Sequence, residues 1–225
     1  WLQINILYMQ IIDLSKNNSV LNNYIREIRD ITIQADAMRF RRNMERIGEV
    51  IAIELSKSLK YKKIETQTPL AIAQVNILDE QLVIASILRA GLALHNGILA
   101  VFDRAENAFV SAYRKYLNDR QFDIHVEYIS APSLTDKTLV LADPMLATGG
   151  SMELSYKALL QKGTPANIHI VSTIASKPAI EHLQKVMPAA TTLWVAAIDD
   201  TINEHAYIVP GLGDAGDLAF GEKLD

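Results

Sequence analysis

Between positions 138 and 151 the chain reads Thr-Leu-Val-Leu-Ala-Asp-Pro-Met-Leu-Ala-Thr-Gly-Gly-Ser. This stretch narrows the possible folds more than any other. Leu139, Val140 and Leu141 form a short apolar run of strand formers, the pattern of a buried strand. Asp143 ends the run. Pro144 follows, with no N–H to give to a sheet ladder. Then come Thr148, Gly149, Gly150 and Ser151, and after them a helical pattern. Strand, acid, small-residue loop and helix together make a phosphate cradle. Backbone N–H groups at the helix N-terminus, backed by the positive end of the dipole, bind a phosphate dianion. Glycine permits close approach and positive φ there, and Thr148 and Ser151 can add hydroxyl donors. The stretch is not a nucleoside-triphosphate P-loop, which needs a lysine where Gly150 stands. It also lacks the G-x-G-x-x-G spacing of a dinucleotide fingerprint. Asp143 beside the loop suits a ligand with hydroxyls next to its phosphate, such as a ribose phosphate. These residues alone leave a second use open, a strand-to-helix turn that needs Gly-Gly for geometry only.

A cradle of this kind belongs to an α/β sheet, and the surrounding pattern agrees. Residues 82–88 read as a buried strand ending in Arg89-Ala90-Gly91, with a helix from 92 to about 102. Residues 168–174 and 193–198 read as strands. Helices are expected over 150–161, closed by Lys162-Gly163, and over 178–186, opened by Pro178. Strand and helix alternate from Leu82 onward at parallel-sheet spacing, so the expected fold is a doubly wound α/β core. Upstream, Val20, Leu21, Tyr24, Ile25 and Ile28 share a helical face with Ser19 as N-cap. A longer helix is expected over 34–59, and its Arg39, Arg41, Arg42 and Arg46 read as a solvated or subunit-facing surface. Residues 64–77 read as extended, with a bend at Pro69. Residues 108–116 read as a strand running into Tyr113-Arg114. Ile124, Val126 and Tyr128 alternate, as in a β-arm closed by Pro132. No internal repeat is visible. Met9 has the look of a start, and residues 1–8 are set aside from the fold reading.

Composition removes several function classes. The net charge of −4 over 225 residues does not favour a nucleic-acid surface. The absence of cysteine excludes disulfides and thiolate catalysis, and fits a reducing cytoplasm. No apolar run reaches the length of a membrane span. His95, His125, His169 and His182 are scattered without metal-ligand spacing and read as surface or packing residues; the methionines read as core filler. The tail is different. Pro210-Gly211-Leu212-Gly213-Asp214-Ala215-Gly216-Asp217 is too rich in glycine for helix or regular strand. It reads either as a loose exit loop or as a backbone passing close to a small planar ligand. Tyr207, Ile208 and Val209 would anchor it.

Taken together, Ile87-Leu88-Arg89-Ala90-Gly91-Leu92, Tyr113-Arg114, the stretch from Asp143 to Ser151, Asn203-Glu204-His205 and the run from Tyr207 to Asp217 resemble the uracil phosphoribosyltransferase family. The order and spacing match from about position 13 onward. The resemblance implies an α/β type I phosphoribosyltransferase fold, a mostly parallel sheet flanked by helices, with a β-arm at 117–136 and a C-terminal hood at 199–225, in one domain over 9–225. It implies transfer of phosphoribose from phosphoribosyl pyrophosphate (PRPP) to uracil, giving UMP and pyrophosphate with Mg²⁺ held mainly by PRPP. It also implies GTP as an effector and a homodimer or larger assembly. PRPP would be bound by Arg89, Ala90, Gly91, Arg114, Asp143, Pro144, Met145, Leu146, Ala147, Thr148, Gly149, Gly150, Ser151 and Asp214. Among these, Arg89, Arg114, Asp143 and Asp214 would carry the catalysis. Uracil would be read by Ile208, Gly213, Asp214 and Ala215, largely through backbone groups. A loop N–H facing cytosine's amino group would go unpaired, at a cost of about 1–3 kcal/mol. The resemblance further implies strained backbone or a cis non-proline peptide around Leu88 and Arg89, and a hydrogen bond from His205 that positions the hood. The chain departs from the family pattern at Asn96, Ala206, Leu218 and Glu222, and in the arm at Lys115-Tyr116 and Ser130-Ala131-Pro132. A second reading is a PRPP- or nucleotide-sensing regulatory protein that keeps the loops with little turnover.

Overall fold

The computed structural model describes residues 9–118 and 121–223, the side chains of 112–126 excepted. Its centre is an eight-stranded sheet built on the path β1-β10-β9-β7-β4-β5-β6, with β8 paired to β9. The strands are β1 (Gln10–Asp13), β4 (Leu82–Ile87), β5 (Glu106–Asn118), β6 (Gln121–Ser130), β7 (Thr138–Ala142), β8 (Met145–Leu146), β9 (Asn167–Ser176) and β10 (Thr192–Asp199). All pairings are parallel except β5 with β6. A separate hairpin pairs β2 (Tyr61–Gln67) with β3 (Ile72–Leu78), and a shorter one pairs β11 (Thr201–Ile202) with β12 (Ile208–Val209).

Each central strand is apolar on both faces because helices cover both. Leu82 and Ile84 of β4 face one cluster, formed with α1 (Leu21–Arg29), α2 (Ala37–Ser56) and α3 (Leu92–Val101). Val83, Ala85 and Ile87 alternate with them and face the other cluster, formed with α4 (Gly150–Leu159) and α5 (Lys177–Val186). This is why 82–85 and 139–142 read as continuous apolar runs rather than alternating ones. Among the described residues, no helix is long and apolar enough to cross a membrane.

The expected elements are present, with instructive shifts. The second helix begins at Ala37 rather than near 34, because the Asp36 carboxylate accepts from the N–H groups of Met38 and Arg39 and caps it there. The residue at the start of α1 is Val20, one later than the expected Ser19, and it makes no side-chain cap; the Ser19 hydroxyl still accepts from Leu21 N–H at 3.2 Å. The arginine run on α2 is met by its surroundings: Arg39 pairs with Glu27, Arg42 with Glu45, and Arg41 donates to the Ala219 carbonyl. The arm is longer than expected at its start, since β5 runs continuously from the sheet out to Asn118 and β6 returns to Ser130. Residues 64–77 form the β2–β3 hairpin, with Pro69 in its turn. Among the methionines, Met9, Met44, Met152 and Met187 are buried, but Met38 is exposed on the outer face of α2. The eight residues set aside at the start lie outside the described residues.

Candidate active site

The site follows from the order of strands. From β4 the chain steps one way to β5 and β6, and from β7 it steps the other way to β9 and β10. β4 and β7 are neighbours, so the loops leaving their carboxyl ends diverge and open a crevice at the switch point. The loop after β4 carries Arg89, Ala90 and Gly91. The loop after β7 carries Asp143 to Gly149.

The second loop is held from below by the sheet. Pro144 gives no N–H, but its carbonyl accepts from Ile174 at 3.0 Å, and Met145 and Leu146 pair with Ile174 and Ala175 as β8. Ser176, the N-cap of α5, donates its hydroxyl to the Ala147 carbonyl at 2.6 Å and accepts from Ala179 N–H. Gly149 then takes φ 79, at the N-cap of α4, with no side-chain cap hydrogen bond. A Cβ there would lie 3.1 Å from the His182 ring and 3.2 Å from the Ala179 carbonyl. The positive φ favours glycine here, and a Cβ would in addition press on those neighbours by a few tenths of an ångström. Gly150 is the first helical residue, and its N–H donates to the Thr148 hydroxyl at 3.3 Å. A helix start without a side-chain cap leaves amides for an anion. Behind it, the Glu153 carboxylate contacts Lys157 at 2.6 Å and His182 at 2.8 Å, and Lys157 above all holds its pKa low.

Asp143 is the most perturbed group of the crevice. It is buried, with one hydrogen bond, from Met145 N–H at 3.3 Å. Burial pushes its carboxyl from the ordinary 3.8 up to about 7. Such a group gains by meeting hydroxyl donors from a ligand. Arg89 follows a cis Leu88–Arg89 peptide, at the place expected. Its guanidinium is engaged with the hood: Nη1 donates to the Gly221 carbonyl and Nη2 to the Asp217 carboxylate, while Nε is buried without a partner.

The hood closes the crevice. Asp214 caps α6 (Ala215–Phe220), its carboxylate accepting from Asp217 N–H at 2.9 Å. The stretch from Pro210 to Asp217, expected to be free of helix, therefore enters one at Ala215. Asp214 and the helix formers of Ala215-Gly216-Asp217-Leu218-Ala219 outweigh the single glycine that lies inside. Of the expected anchors, Ile208 is buried, whereas Tyr207 and Val209 are exposed. His205 is also exposed, and among the described contacts its side chain meets only Glu204. Asn203 takes the role expected of it. Its side-chain oxygen accepts from the N–H groups of His205 and Tyr207, and its own N–H donates to the Tyr207 carbonyl. The turn it closes puts Ala206 at φ 61. A short amide such as Asn203 folds back readily on its own backbone, which is what shapes this turn.

A cavity of about 220 Å³ lies where the three parts meet. Ala90, Met145 and Ala147 line it from the sheet side, and Ile208, Gly213, Asp214 and Ala215 from the hood. Ala206, Tyr207 and Gly216 complete the wall. Of the predicted site residues, Ala90, Met145, Ala147, Ile208, Gly213, Asp214 and Ala215 line this cavity, whereas Arg89, Gly91, Asp143 and Thr148 to Ser151 are not part of its wall. Arg114 lies on β5 opposite Ile124, and its side chain is outside the described residues, as is that of His125. His95 and His169 are buried packing residues, bonded to Asn107 and Trp194.

Residues 15–222 match the family model described as uracil phosphoribosyltransferase. The chain belongs to that family. A uracil phosphoribosyltransferase of Porphyromonas gingivalis is 58% identical over 216 residues, covering 96% of this chain and all of that protein. Those of Methanothermobacter thermautotrophicus and Lactococcus lactis are 39% and 38% identical, each over 84% of this chain and 87% and 90% of theirs. Among solved structures, a protein from Aquifex aeolicus is 28% identical with a TM-score of 0.81, covering 94% of this chain and 98% of that one. A hypoxanthine phosphoribosyltransferase from Staphylococcus aureus shares 13% identity at a TM-score of 0.50, over 82% of this chain and 83% of its own. The fold is that of the type I phosphoribosyltransferases.

Proposed function

We infer that the protein transfers the phosphoribosyl group of PRPP to N1 of uracil, releasing UMP and pyrophosphate, a salvage step. The observation that supports this reading beyond family membership is the cavity that Met145 and Ala147, at the entry to the cradle, share with Ile208, Gly213, Asp214 and Ala215 of the hood. The amides and hydroxyls of Ala147 to Ser151 hold the 5-phosphate, and Asp143 accepts from the ribose hydroxyls. Bringing donors to Asp143 offsets the burial that keeps its pKa high. Ile208, Gly213 and Ala215 read the uracil edge. Arg89, with Ala90 and Gly91, takes the pyrophosphate by exchanging its contacts with Asp217 and Gly221, and Arg114 reaches the same group from the arm.

The cavity wall holds one carboxylate, Asp214, and no lysine or arginine. Among the described residues, no group of three or more His, Asp or Glu could cage a metal. Mg²⁺ is usually held by one or two carboxylates plus substrate phosphates, and Asp214 suits that mode. When bound, the ion neutralises charge building on the leaving pyrophosphate. The protein's part is positioning and preorganised dipoles. We further propose a cytoplasmic homodimer or larger assembly with GTP as an effector. Exposed Ile31, Met38 and Ile53 on and beside the first two helices support self-association; sedimentation with and without GTP tests both.

The test is incubation with labelled uracil, PRPP and Mg²⁺. UMP is expected, and no CMP when cytosine replaces uracil. PRPP binding without any UMP would overturn the enzyme reading in favour of a sensor.

A further inference from the structure

Arg29 ends α1 and Asp199 ends β10, 170 residues apart. Neither lines the cavity between cradle and hood. Their side chains form a two-pronged pair, Nη1 to Oδ2 at 2.8 Å and Nη2 to Oδ1 at 2.9 Å. Asp199 is buried, its side chain 7% exposed, and Arg29 is largely covered at 22%. Both then reach one residue of the hood, through the two peptide groups that flank it. Arg29 Nη1 donates to the Gly211 carbonyl at 3.0 Å, and Gly211 N–H donates to Asp199 Oδ2 at 2.9 Å. Gly211 stands at φ 57, where a Cβ would fall 2.1 Å from the Ile208 carbonyl oxygen. Its two chain directions lead to Ile208 and to Gly213, both in the cavity wall.

We propose that Arg29 and Asp199 are positioning residues for base recognition, a clamp that fixes the Gly211 backbone and through it the backbone groups that read uracil. This rests on the reading of the hood as the uracil site. A glycine-rich loop is flexible by composition, yet a backbone that discriminates bases must present its N–H and C=O groups at fixed positions. The clamp supplies that fixity from two well-packed elements. Burying a charge pair is a poor route to stability, since apolar residues of similar volume do as well. A pair retained with its polar atoms aimed at one loop residue serves geometry. The planar guanidinium is needed because only a fork can hold a carboxylate with two bonds while touching a carbonyl.

The experiment compares wild type, Arg29→Lys, and the double variant Arg29→Met with Asp199→Leu. The double variant leaves no unpaired buried charge, so its thermal midpoint is expected to stay within a few degrees of wild type. Its KM for uracil is expected to rise about tenfold or more, the loss of one or two positioned hydrogen bonds. Its KM for PRPP is expected to change less than about twofold, as the cradle is built from other elements. Arg29→Lys, which keeps the charge and loses the fork, is expected to follow the double variant in uracil KM. A double variant with wild-type uracil KM, or with both KM values raised equally, would overturn the proposal. If wild type makes no UMP, the functional reading fails separately. The clamp is then read by hydrogen exchange over residues 207–214: faster exchange in the stable double variant supports it, and unchanged exchange overturns it.

Discussion

The loop that leads into the cradle and the hood meet at one cavity, through Met145 and Ala147 on one side and Ile208, Gly213, Asp214 and Ala215 on the other, but cradle and hood are made in opposite ways. The cradle is contiguous. Strand, acid, loop and helix occupy 138–159, and β9 and Ser176 only brace them from below. The hood is assembled from distant parts. Its backbone at Gly211 is held by Arg29 and Asp199, its helix by Arg89, and its entry turn by Asn203. In the proposed reading the cradle takes a phosphate, which a helix start with free amides attracts. In the same reading the hood takes the edge of a base, which requires particular groups at particular places. A sequence-local device suffices for the first task and a tertiary one serves the second.

The largest expected effect breaks the cradle alone. Gly149→Val puts a branched side chain at φ 79 against the His182 ring and the Ala179 carbonyl. PRPP binding is expected to be lost by calorimetry; unchanged affinity would separate this loop from the phosphate. Next comes the hood's carboxylate. Asp214→Ala is expected to lower kcat/KM about a hundredfold or more, by loss of a charge that acts in the transition state. It also removes the N-cap of α6, worth about 1 kcal/mol. Asp214→Asn keeps the cap, so it should restore stability without restoring activity. Recovery of both would make Asp214 structural only.

Asp143 sharpens the comparison through pH. Its folded pKa of about 7 exceeds the ordinary 3.8, so the folded state favours the protonated form. That preference stabilises the fold below the unfolded pKa and is lost as pH rises through about 7. Asp143→Asn is therefore expected to be more stable than wild type at pH 8, with the gain shrinking as pH falls from about 7 towards 3.8. Its PRPP affinity should drop while uracil contacts are untouched. Urea unfolding at pH 5 and pH 8 reads the first effect, and equal gains at both would contradict the burial account. The smallest effect concerns the entry turn. Asn203→Ala is expected to raise uracil KM several-fold, through loss of hydrogen bonds worth about 1 kcal/mol each. His205→Ala should leave it unchanged. The reverse result would return the positioning role to the histidine.

These contrasts also explain what was legible beforehand. The doubly wound core could be read because strands covered on both faces leave continuous apolar runs, as in 82–85 and 139–142. The cradle could be read because every residue that shapes it is a near neighbour in sequence. β1 was not read as a strand: four residues carry no periodicity, and its order comes from lying parallel to β10. The start of α2 was misplaced because Asp36, a capping residue, lies inside a longer helix-compatible run. In the hood, glycine content spoke against helix while Asp214 capped one, and local chemistry won. The Arg29–Asp199 clamp left no local signal, since its halves lie 170 residues apart. Arg89 was assigned to the ligand from its motif, but its contacts with Asp217 and Gly221 appear only once the tail is folded back over it.

The central claim is that cradle and hood form one site, the first for phosphate and the second for uracil. A crystal structure with bound UMP tests it most directly. The account predicts the phosphate on the amides of Ala147 to Ser151, ribose hydroxyls on Asp143, and the uracil edge against Ile208, Gly213 and Ala215 in the same cavity. A UMP whose phosphate sits away from the Gly149 loop, or whose base lies outside the hood, would contradict it.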